Sequence, residues 1–459
     1  MTFLGRTDES TGTQGVGNSS SDSRSGATNG GRSDQSNITL DGVDVNDVNN
    51  GFAFTSVLRV TQDSVAEFRV TTSNPNAEEG RSSGAQVALV TKSGTNAIHG
   101  AIYAYNRNNV FHANDFFNKQ TEAAEGLPNT PLKLIRNVFG ADIGGPIKHD
   151  RAFYFLNYEG RRDDQAFVSN TDVVPVANFR AGNLQYCTTG ACAPTYGAAS
   201  SDTYTLTPAQ LQSMDPLGIG PSAAVQALLN SYPLPNNPSV GDGFNTEGYS
   251  FAYNVKRSYN TYIARLDWNI TGNGKHTVFW RGNLQNDSEP QGPQFPGQPA
   301  STTTLTNSKG FASGYTALLS SNLVNNLTFG LTRQGYSDAG TLSGPYTVLQ
   351  AGPTSLQAHT ASDLTIVPVY NVADNLTWTK HDHNLAFGTN LRFISNKSSS
   401  NSLSYANASG TYQYLNPGTI AGSNGAFDPD VTPGLPAVPS KYKTDYNTAI
   451  MDLIGIVNL

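Results

Sequence analysis

The chain is poor in charged residues and has no long apolar run. Charged side chains make up 14% of its 459 residues, whereas a typical soluble domain has about 25%. No stretch approaches the roughly 18 apolar residues of a membrane-spanning helix. The net charge is −7, and no Lys/Arg cluster follows any segment. These absences argue against a transmembrane helix and against nucleic acid as a partner.

Metal-ligating side chains are also scarce. The only cysteines, Cys187 and Cys192, lie in a segment that contains Gly and Pro, and their spacing closes a small loop. In an oxidising compartment this pattern predicts a local disulfide, with two free thiols as the alternative. Two sulfurs with no His nearby fall short of tetrahedral metal ligation. His381 and His383 flank Asp382 and are interpreted as turn residues. We expect no metal and no cofactor.

Gly, Asn, Ser, Thr and aromatic residues make up for the small number of charged residues. Hydrophobic residues reach only 37%, while the chain has 45 Gly, 21 Tyr and 21 Phe. This composition favours exposed strands and loops over a helical core. Residues 1–36 contain almost no apolar side chain, which predicts a loop or disorder. Residues 37–97 alternate short β-like runs with turn residues, which predicts a small domain of short strands.

From residue 98 to 459 the pattern is that of longer strands joined by short turns. The clearest strand begins near Tyr262 and ends at a Gly-rich turn around Gly272. One face of this strand is apolar and the other polar: Tyr262, Ala264, Leu266, Trp268 and Ile270 against Thr261, Arg265, Asp267 and Asn269. Strands of about 10 residues with one apolar face are typical of a transmembrane β-barrel.

Long connections lie at the opposite end from the short turns. They span residues 161–253 and 286–308 and are rich in Pro, Gly, Asn and Ser. Short turns at one end and long loops at the other are typical of the periplasmic and extracellular ends of a barrel. A soluble β-sandwich is the alternative, but loops beyond about 15 residues are uncommon inside a compact domain.

Enzyme motifs are present only in isolation. Residues 80–84 read Gly-Arg-Ser-Ser-Gly, but a strand-like run follows where a nucleophile elbow needs a helix. Residues 41–47 are rich in Asp but lack the spacing of a calcium loop. No phosphate-binding or dinucleotide-binding fingerprint occurs. The sequence predicts no enzyme.

A series of short motifs runs in order between residues 37 and 396. It includes Asn-Ile-Thr-Leu-Asp-Gly-Val-Asp at 37–44, Ser-Val-Ala-Glu-Phe-Arg-Val at 64–70, and a run at 78–96 that contains a strand ending in Val-Thr-Lys at 90–92. Further motifs follow at 99–105, 114–118, 136–146, 153–161, 374–378 and 384–388. In order and number these motifs resemble TonB-dependent receptors, in particular their Oar-like branch.

The resemblance implies a plug domain inside an outer-membrane barrel. The plug motif residues would be Asp41, Gly42, Glu67, Arg81 and Lys92. In the family, a ligand docks on the extracellular loops and the plug, and the TonB complex then pulls the N-terminus to open a path. The implied partners are TonB, outer-membrane lipid and an unknown extracellular ligand. The implied ligand is a scarce nutrient such as a glycan, a peptide or a chelate.

The resemblance also sets the expected architecture. We expect a mainly β chain in the cell outer membrane, with residues 1–36 as a plug remnant, 37–97 as the C-terminal part of a plug and 98–459 as the N-terminal part of an antiparallel transmembrane barrel. The N-terminal plug half with its TonB box and the last barrel strands would be missing, as in a truncated fragment. The sheet would then stay open, with the strand near Ile102 unpaired with the last. An adhesion protein anchored by the barrel is the alternative function.

Overall fold

The computed structural model describes residues 35–50, 56–72, 84–124, 126, 128–195, 198–238, 240–341, 346–349, 352–401, 407–409 and 426–455. Within these ranges the chain is mainly β. The strands are β1 (Asn37–Leu40), β2 (Val43–Asp44), β3 (Val65–Thr71), β4 (Gln86–Thr91), β5 (His99–Asn108), β6 (Leu134–Lys148), β7 (Ala152–Val168), β8 (Asp172–Pro175), β9 (Leu184–Cys187), β10 (Thr203–Leu206), β11 (Thr246–Tyr249), β12 (Ala252–Asn269), β13 (His276–Pro290), β14 (Thr302–Thr306), β15 (Lys309–Ser320), β16 (Leu323–Gly340), β17 (Tyr346–Val348), β18 (Asp363–Lys380), β19 (His383–Ile394), β20 (Lys397–Ser400) and β21 (Asn407–Ser409).

The helices are short. They are α1 (Phe116–Ala124), α2 (Ala177–Arg180), α3 (Pro208–Met214), α4 (Ala223–Asn230) and α5 (Lys443–Ile454). Among the residues that the structure describes, no helix has the length and apolar character to cross a membrane.

A large antiparallel sheet forms the wall of the molecule. It has eleven strands, in the order β19-β18-β16-β14-β13-β12-β7-β6-β5, with β15 between β13 and β16 and with β20 beside β18. Chain neighbours pair through tight connections at one end of the sheet, where His381 and Asp150 adopt positive φ values of 51° and 60°. We refer to this sheet as the wall.

The wall is open along its two edges. Strand β5 pairs only with β6, and β19 pairs only with β18, among the paired strands that the structure describes. The ladder that would join the strand at Ile102 to the last strand is therefore absent from these residues, and the predicted open sheet is confirmed. Both edge strands are exposed on both faces, and Ile102 is 91% exposed.

The predicted alternation of faces matches the burial along the wall. On β12 the apolar Tyr262 and Leu266 are 46% and 44% exposed, whereas Thr261 is 1% exposed. We call the side that carries Tyr262 the outer face and the other the inner face. Phe279, the apolar exception on the inner face, lies beneath the guanidinium of Arg265, 4.9 Å from the ring centroid.

The polar exception on the outer face also has a partner. Asp374 on β18 accepts a hydrogen bond of 2.8 Å from the Nδ2 of Asn325 on β16. Asn325 is the third residue of β16, and Asp374 lies opposite Leu327 of the same strand. The hydrogen bond to the amide lowers the cost of placing this carboxylate on the outer face.

A second sheet lies against the inner face of the wall. Its strand order is β2-β1-β4-β3, with β1 and β4 parallel. We call residues 37–92, where the structure describes them, the plug block. Its apolar side chains form one buried cluster that also includes Ile263 of the wall strand β12. Leu40 and Leu58 are fully buried there. Burial of this kind contributes about 1.5–3 kcal/mol for each such side chain.

The long connection between β7 and β12 is a folded lobe. It contains the strand pairs β8–β11 and β9–β10 and the helices α2, α3 and α4. Helix α5, which comes from the far end of the chain, packs into the same hydrophobic core. The core includes Phe179, Leu184, Leu206, Leu229, Tyr446, Ile450 and Leu453. Its apolar residues are dispersed among turn residues in the sequence, which is why composition alone predicted only loops.

The two cysteines lie in this lobe and are joined as a disulfide, with their Cα atoms 5.9 Å apart. Cys187 ends β9 and is fully buried. The lobe rises from the end of the wall opposite the short turns, which supports an extracellular position for the bond.

We expect both thiols to resist a maleimide reagent when the folded protein is kept free of reductant, because neither sulfur would carry a thiolate. After reduction, both should become labelled upon unfolding. Labelling of both thiols before reduction, counted by intact mass, would contradict the pairing.

Candidate functional site

The contact between the plug block and the wall is built around a tight turn. Asp41 and Gly42 connect β1 to β2 with φ values of 50° and 81°. Asp-Gly is favoured in such hairpin turns because both central residues need positive φ. Asp41 itself is buried, with only 8% of its surface exposed. It therefore carries the Asp41 carboxylate into the space between the plug block and the wall.

Two wall arginines bind this carboxylate. Arg281 Nε on β13 donates to Asp41 Oδ2 at 3.1 Å, and Arg265 Nη1 on β12 donates to Asp41 Oδ1 at 3.0 Å. The backbone N–H of Thr91 on β4 also donates to Asp41 Oδ1, at 2.9 Å. Thr91 Oγ1 lies 3.0 Å from Asp41 Oδ2 as a further donor, so each carboxylate oxygen of Asp41 is bonded both to a wall arginine and to the plug block.

The two arginines are held on their other sides as well. Arg281 is 0% exposed, and its Nη2 donates to the Leu40 carbonyl at 3.1 Å. Arg265 Nη2 donates to Asp267 Oδ1 at 2.9 Å. Two carboxylates therefore face two guanidinium groups, and this buried cluster is close to neutral.

Two further ion pairs flank the cluster. Asp44 of β2 binds Arg392 of β19, and Arg59 of the plug block binds Asp287 of β13 at 2.6 Å. The Asp287 side chain is 1% exposed. In the first pair the plug block supplies the carboxylate, and in the second it supplies the guanidinium. The wall supplies the oppositely charged group in each case.

Neutral hydrogen bonds fill the spaces between these pairs. They include the Arg59 N–H to Gln285 Oε1 at 2.7 Å, Thr332 Oγ1 to the Asp44 carbonyl at 2.7 Å and Asn283 Nδ2 to the Arg59 carbonyl at 2.8 Å. Buried polar groups of this kind cost free energy when they lose their partners. These bonds therefore fix the position of the plug block on the wall. To separate the two, water or another polar surface must replace each bond.

Above the plug block, the inner face carries an aromatic and basic patch. The guanidinium groups of Arg59 and Arg161 lie 5.1 Å and 4.8 Å from the ring centroid of Tyr259. Arg161 and Arg136 share the carboxylate of Asp163, with Arg136 Nε 3.1 Å from Asp163 Oδ1. The patch thus combines the Tyr259 ring with the guanidinium groups of Arg59, Arg161 and Arg136, which Asp163 and Asp287 balance in part.

The plug motif residues named from the sequence fall in different places. Asp41 and Gly42 form the turn at the wall contact. Glu67 is on β3 and is exposed, and the backbone N–H of Lys92 donates to the Ser64 carbonyl at 2.8 Å. Arg81 lies outside the described residues. Of the four that the structure describes, Asp41 is the one that takes part in the wall bonds described above.

Sequence reasoning missed the wall partners of the charged residues in the plug block. Arg281, Asp287 and Arg392 each stand on the polar face of a wall strand, where alternation marks a residue as inward-facing but not as paired. The residue type could have indicated the pairing, because an Arg that is buried on the inner face of a strand requires an anionic partner. No group of His, Cys, Asp or Glu side chains suited to a metal ion occurs within the described ranges.

Comparison with known proteins gives three kinds of match. The family model described as outer membrane beta barrel domain matches residues 90–433. The TonB-dependent transporter Oar of Myxococcus xanthus is 28% identical over 132 residues, which cover 28% of this chain and 12% of Oar.

Two solved structures are also similar. The outer membrane transporter YddB of Escherichia coli aligns with a TM-score of 0.49 and 10% identity, covering 80% of this chain and 41% of YddB. BauA, the ferric preacinetobactin receptor of Acinetobacter baumannii, aligns with a TM-score of 0.36 and 9% identity, covering 81% of this chain and 51% of BauA. The chain thus spans about half or less of each of these proteins.

Proposed function

The chain belongs to the outer membrane beta barrel domain family, and from that premise we propose that it supplies the plug block and part of the wall of a TonB-dependent receptor that imports a scarce nutrient. It is an outer-membrane protein similar to transporters and receptors, not to enzymes. Because the matched segment of Oar is short, the TonB dependence, the import and the substrate belong to the proposal.

The observation that carries the proposal is the buried set of ion pairs between the plug block and the wall. Asp41, Asp44 and Arg59 each bind an oppositely charged wall residue. Such ion pairs would hold a blocking domain in one position against the wall, and they would form again when the domain returns to that position. A simple anchor has no need for a domain seated against its inner face.

The same pairs explain why an energy source is needed. Separating a buried pair without replacing its partner costs about 3–5 kcal/mol. The outer membrane has no ion gradient of its own to meet this cost. We propose that TonB, energised at the inner membrane, pulls a segment that precedes the plug block and breaks these contacts in turn.

The lobe between β7 and β12 is the proposed docking surface for the ligand, together with the basic patch around Tyr259. Its disulfide and its own hydrophobic core make the lobe a pre-organised surface rather than a set of mobile loops. Glycans, peptides and chelates remain the candidate substrate classes. The alternative function, adhesion through the lobe with the wall as anchor, is favoured by the size of the folded lobe.

A reversible cross-link tests whether the plug block must move. A Cβ built on Gly42 would lie 3.9 Å from the Cβ of Thr328 on the wall, and disulfides need Cβ atoms about 3.5–4.5 Å apart. We expect the double variant Gly42→Cys/Thr328→Cys to abolish accumulation of the imported compound under oxidising conditions and to regain it after reduction. The measurement is periplasmic accumulation of fluorescent oligosaccharide, oligopeptide and iron-chelate probes in cells that carry the protein.

Each single-cysteine variant is the control, since it has the same substitution without the cross-link. A protonophore should stop accumulation of the same probe in the unmodified protein. If accumulation continues with the cross-link formed, the plug block does not need to leave the wall and the proposal fails. If no probe accumulates but removal of the protein reduces adhesion of the cells to a surface, the anchor function replaces import.

A further inference from the structure

The lobe contains a polar cavity that the plug and wall do not use. Its volume is about 310 Å³, within the range of roughly 300–1,000 Å³ typical of small-molecule sites. Three carboxylates line it: Asp242 from the segment before β11, and Asp445 and Asp452 from α5. The cavity thus lies between the β7–β12 connection and the helix from the far end of the chain.

Asp452 is the deepest of the three. It is 6% exposed, and its Oδ2 has no hydrogen-bond partner among the described residues. A Cβ on Gly352 would lie only 2.2 Å from that oxygen, so the small residue leaves room for the carboxylate. Burial raises the pKa of Asp452 to about 7. An unpaired buried carboxylate is costly, and a cation in the cavity would remove that cost.

Asp242 is held in place by the backbone. Its Oδ1 accepts from the backbone N–H groups of Phe244, Asn245 and Thr246 at 2.9, 2.8 and 2.8 Å. Partial burial and the charge of Asp242 raise the pKa of Asp445. Carboxylates from two segments of the lobe therefore line the same cavity.

The described lining contains no cationic side chain to balance these carboxylates. The three carboxylates also do not form a group close enough to hold one metal ion, as judged over the described ranges. Asp445 and Asp452 stand seven positions apart on α5, which is about 10 Å along the helix axis. An extended organic cation with more than one nitrogen can meet two carboxylates that are separated in this way.

We propose that this cavity is a binding site for an organic polyamine or another amine-rich ligand, with Asp452 and Asp445 pairing to its ammonium groups. The ligand's N–H groups would donate to Asp452 Oδ2 inside the cavity and to Asp445 nearer its edge. As a substrate assignment this rests on the import proposed above, whereas binding itself needs neither TonB nor a membrane gradient.

Calorimetric titration of the full chain, folded in detergent at pH 8, tests the site. The probe is cadaverine, and its neutral counterpart of equal length, 1,5-pentanediol, is the ligand control. We expect saturable binding of one cadaverine and no binding of pentanediol. Asp452→Asn should weaken cadaverine binding at least tenfold, and Asp445→Asn should weaken it severalfold.

Asp202→Asn is the matched protein control, because it removes one carboxylate from the same lobe at a residue that does not line the cavity. It should leave the affinity unchanged. Thermal unfolding of each variant establishes that the lobe remains folded. Absence of saturable cadaverine binding, or equal affinity in the Asp452→Asn variant, overturns the site. Binding without accumulation of cadaverine in cells would retain the site and refute the amine as the imported compound.

Discussion

Replacing Asp41 with Asn is expected to lower the free energy of unfolding by about 3–5 kcal/mol, because it leaves the buried Arg281 without its anion. Asn tolerates the positive φ of 50° that the turn imposes, so backbone strain does not contribute. Arg265 retains Asp267 and should add little to the loss. Urea unfolding of protein folded into lipid vesicles measures the effect.

Asp150→Asn is the matched control for this loss. Asp150 also lies in a tight turn with positive φ, 60°, but it is exposed. Its substitution should change stability by no more than about 0.5 kcal/mol.

The variant Arg281→Met should also be strongly destabilised. The double variant Asp41→Asn/Arg281→Met should lose less free energy of unfolding than the sum of the two single losses, because no unpaired charge is left at this pair. Additive losses would show that the two residues are not coupled.

Placing an arginine on the outer face should have the second large effect. Phe329→Arg on β16 is expected to cost about 2–4 kcal/mol if the residue lies near the bilayer midplane, since the guanidinium would face hydrocarbon. Phe329 is 41% exposed on that face. Leu266→Arg on β12 should cost less, because Leu266 lies nearer the short-turn end of its strand.

Thr316→Arg on β15 is the control for the inner face. Thr316 is exposed there and pairs with Asn326 of β16, so an arginine would meet water. Asn269 and Thr328 also face inward but are poor controls. Asn269 Oδ1 accepts from the N–H groups of two turn glycines, and Thr328 contacts Gly42. Equal costs for Phe329→Arg and Thr316→Arg would contradict the membrane orientation of the wall.

The alternation of faces could be predicted closely from the sequence. The face of β12 that carries Tyr262 and Leu266 was assigned from a two-residue period alone, because successive strand residues point to opposite sides. The disulfide partners could be named because only two cysteines exist. The open edge at β5 was predicted from the resemblance and the strand count, since a barrel closes only when the first and last strands pair.

The lobe could not be predicted in this way. Its core joins residues such as Leu184 and Leu206 to Ile450 and Leu453 of α5, which are hundreds of positions away in the chain. The short strands and the helices α2, α3 and α4 each contribute only one or two buried side chains to this core, so no local period marks them. The helical spacing of Tyr446, Ile450 and Leu453 on α5 does not identify the residues against which they pack. The same separation hid the cavity, whose carboxylates belong to two distant segments.

The sequence by itself determined the β character, the two faces of the wall strands, the short and long ends of the sheet and the Asp-Gly turn of the plug block. These follow from local geometry, which acts between residues a few positions apart. Only the tertiary structure decided that Asp41 meets Arg281 and Arg265, that Arg59 meets Asp287, and that α5 completes the lobe. Charge pairing and apolar burial act between surfaces, so their partners are selected when the chain folds and cannot be identified from spacing along the sequence.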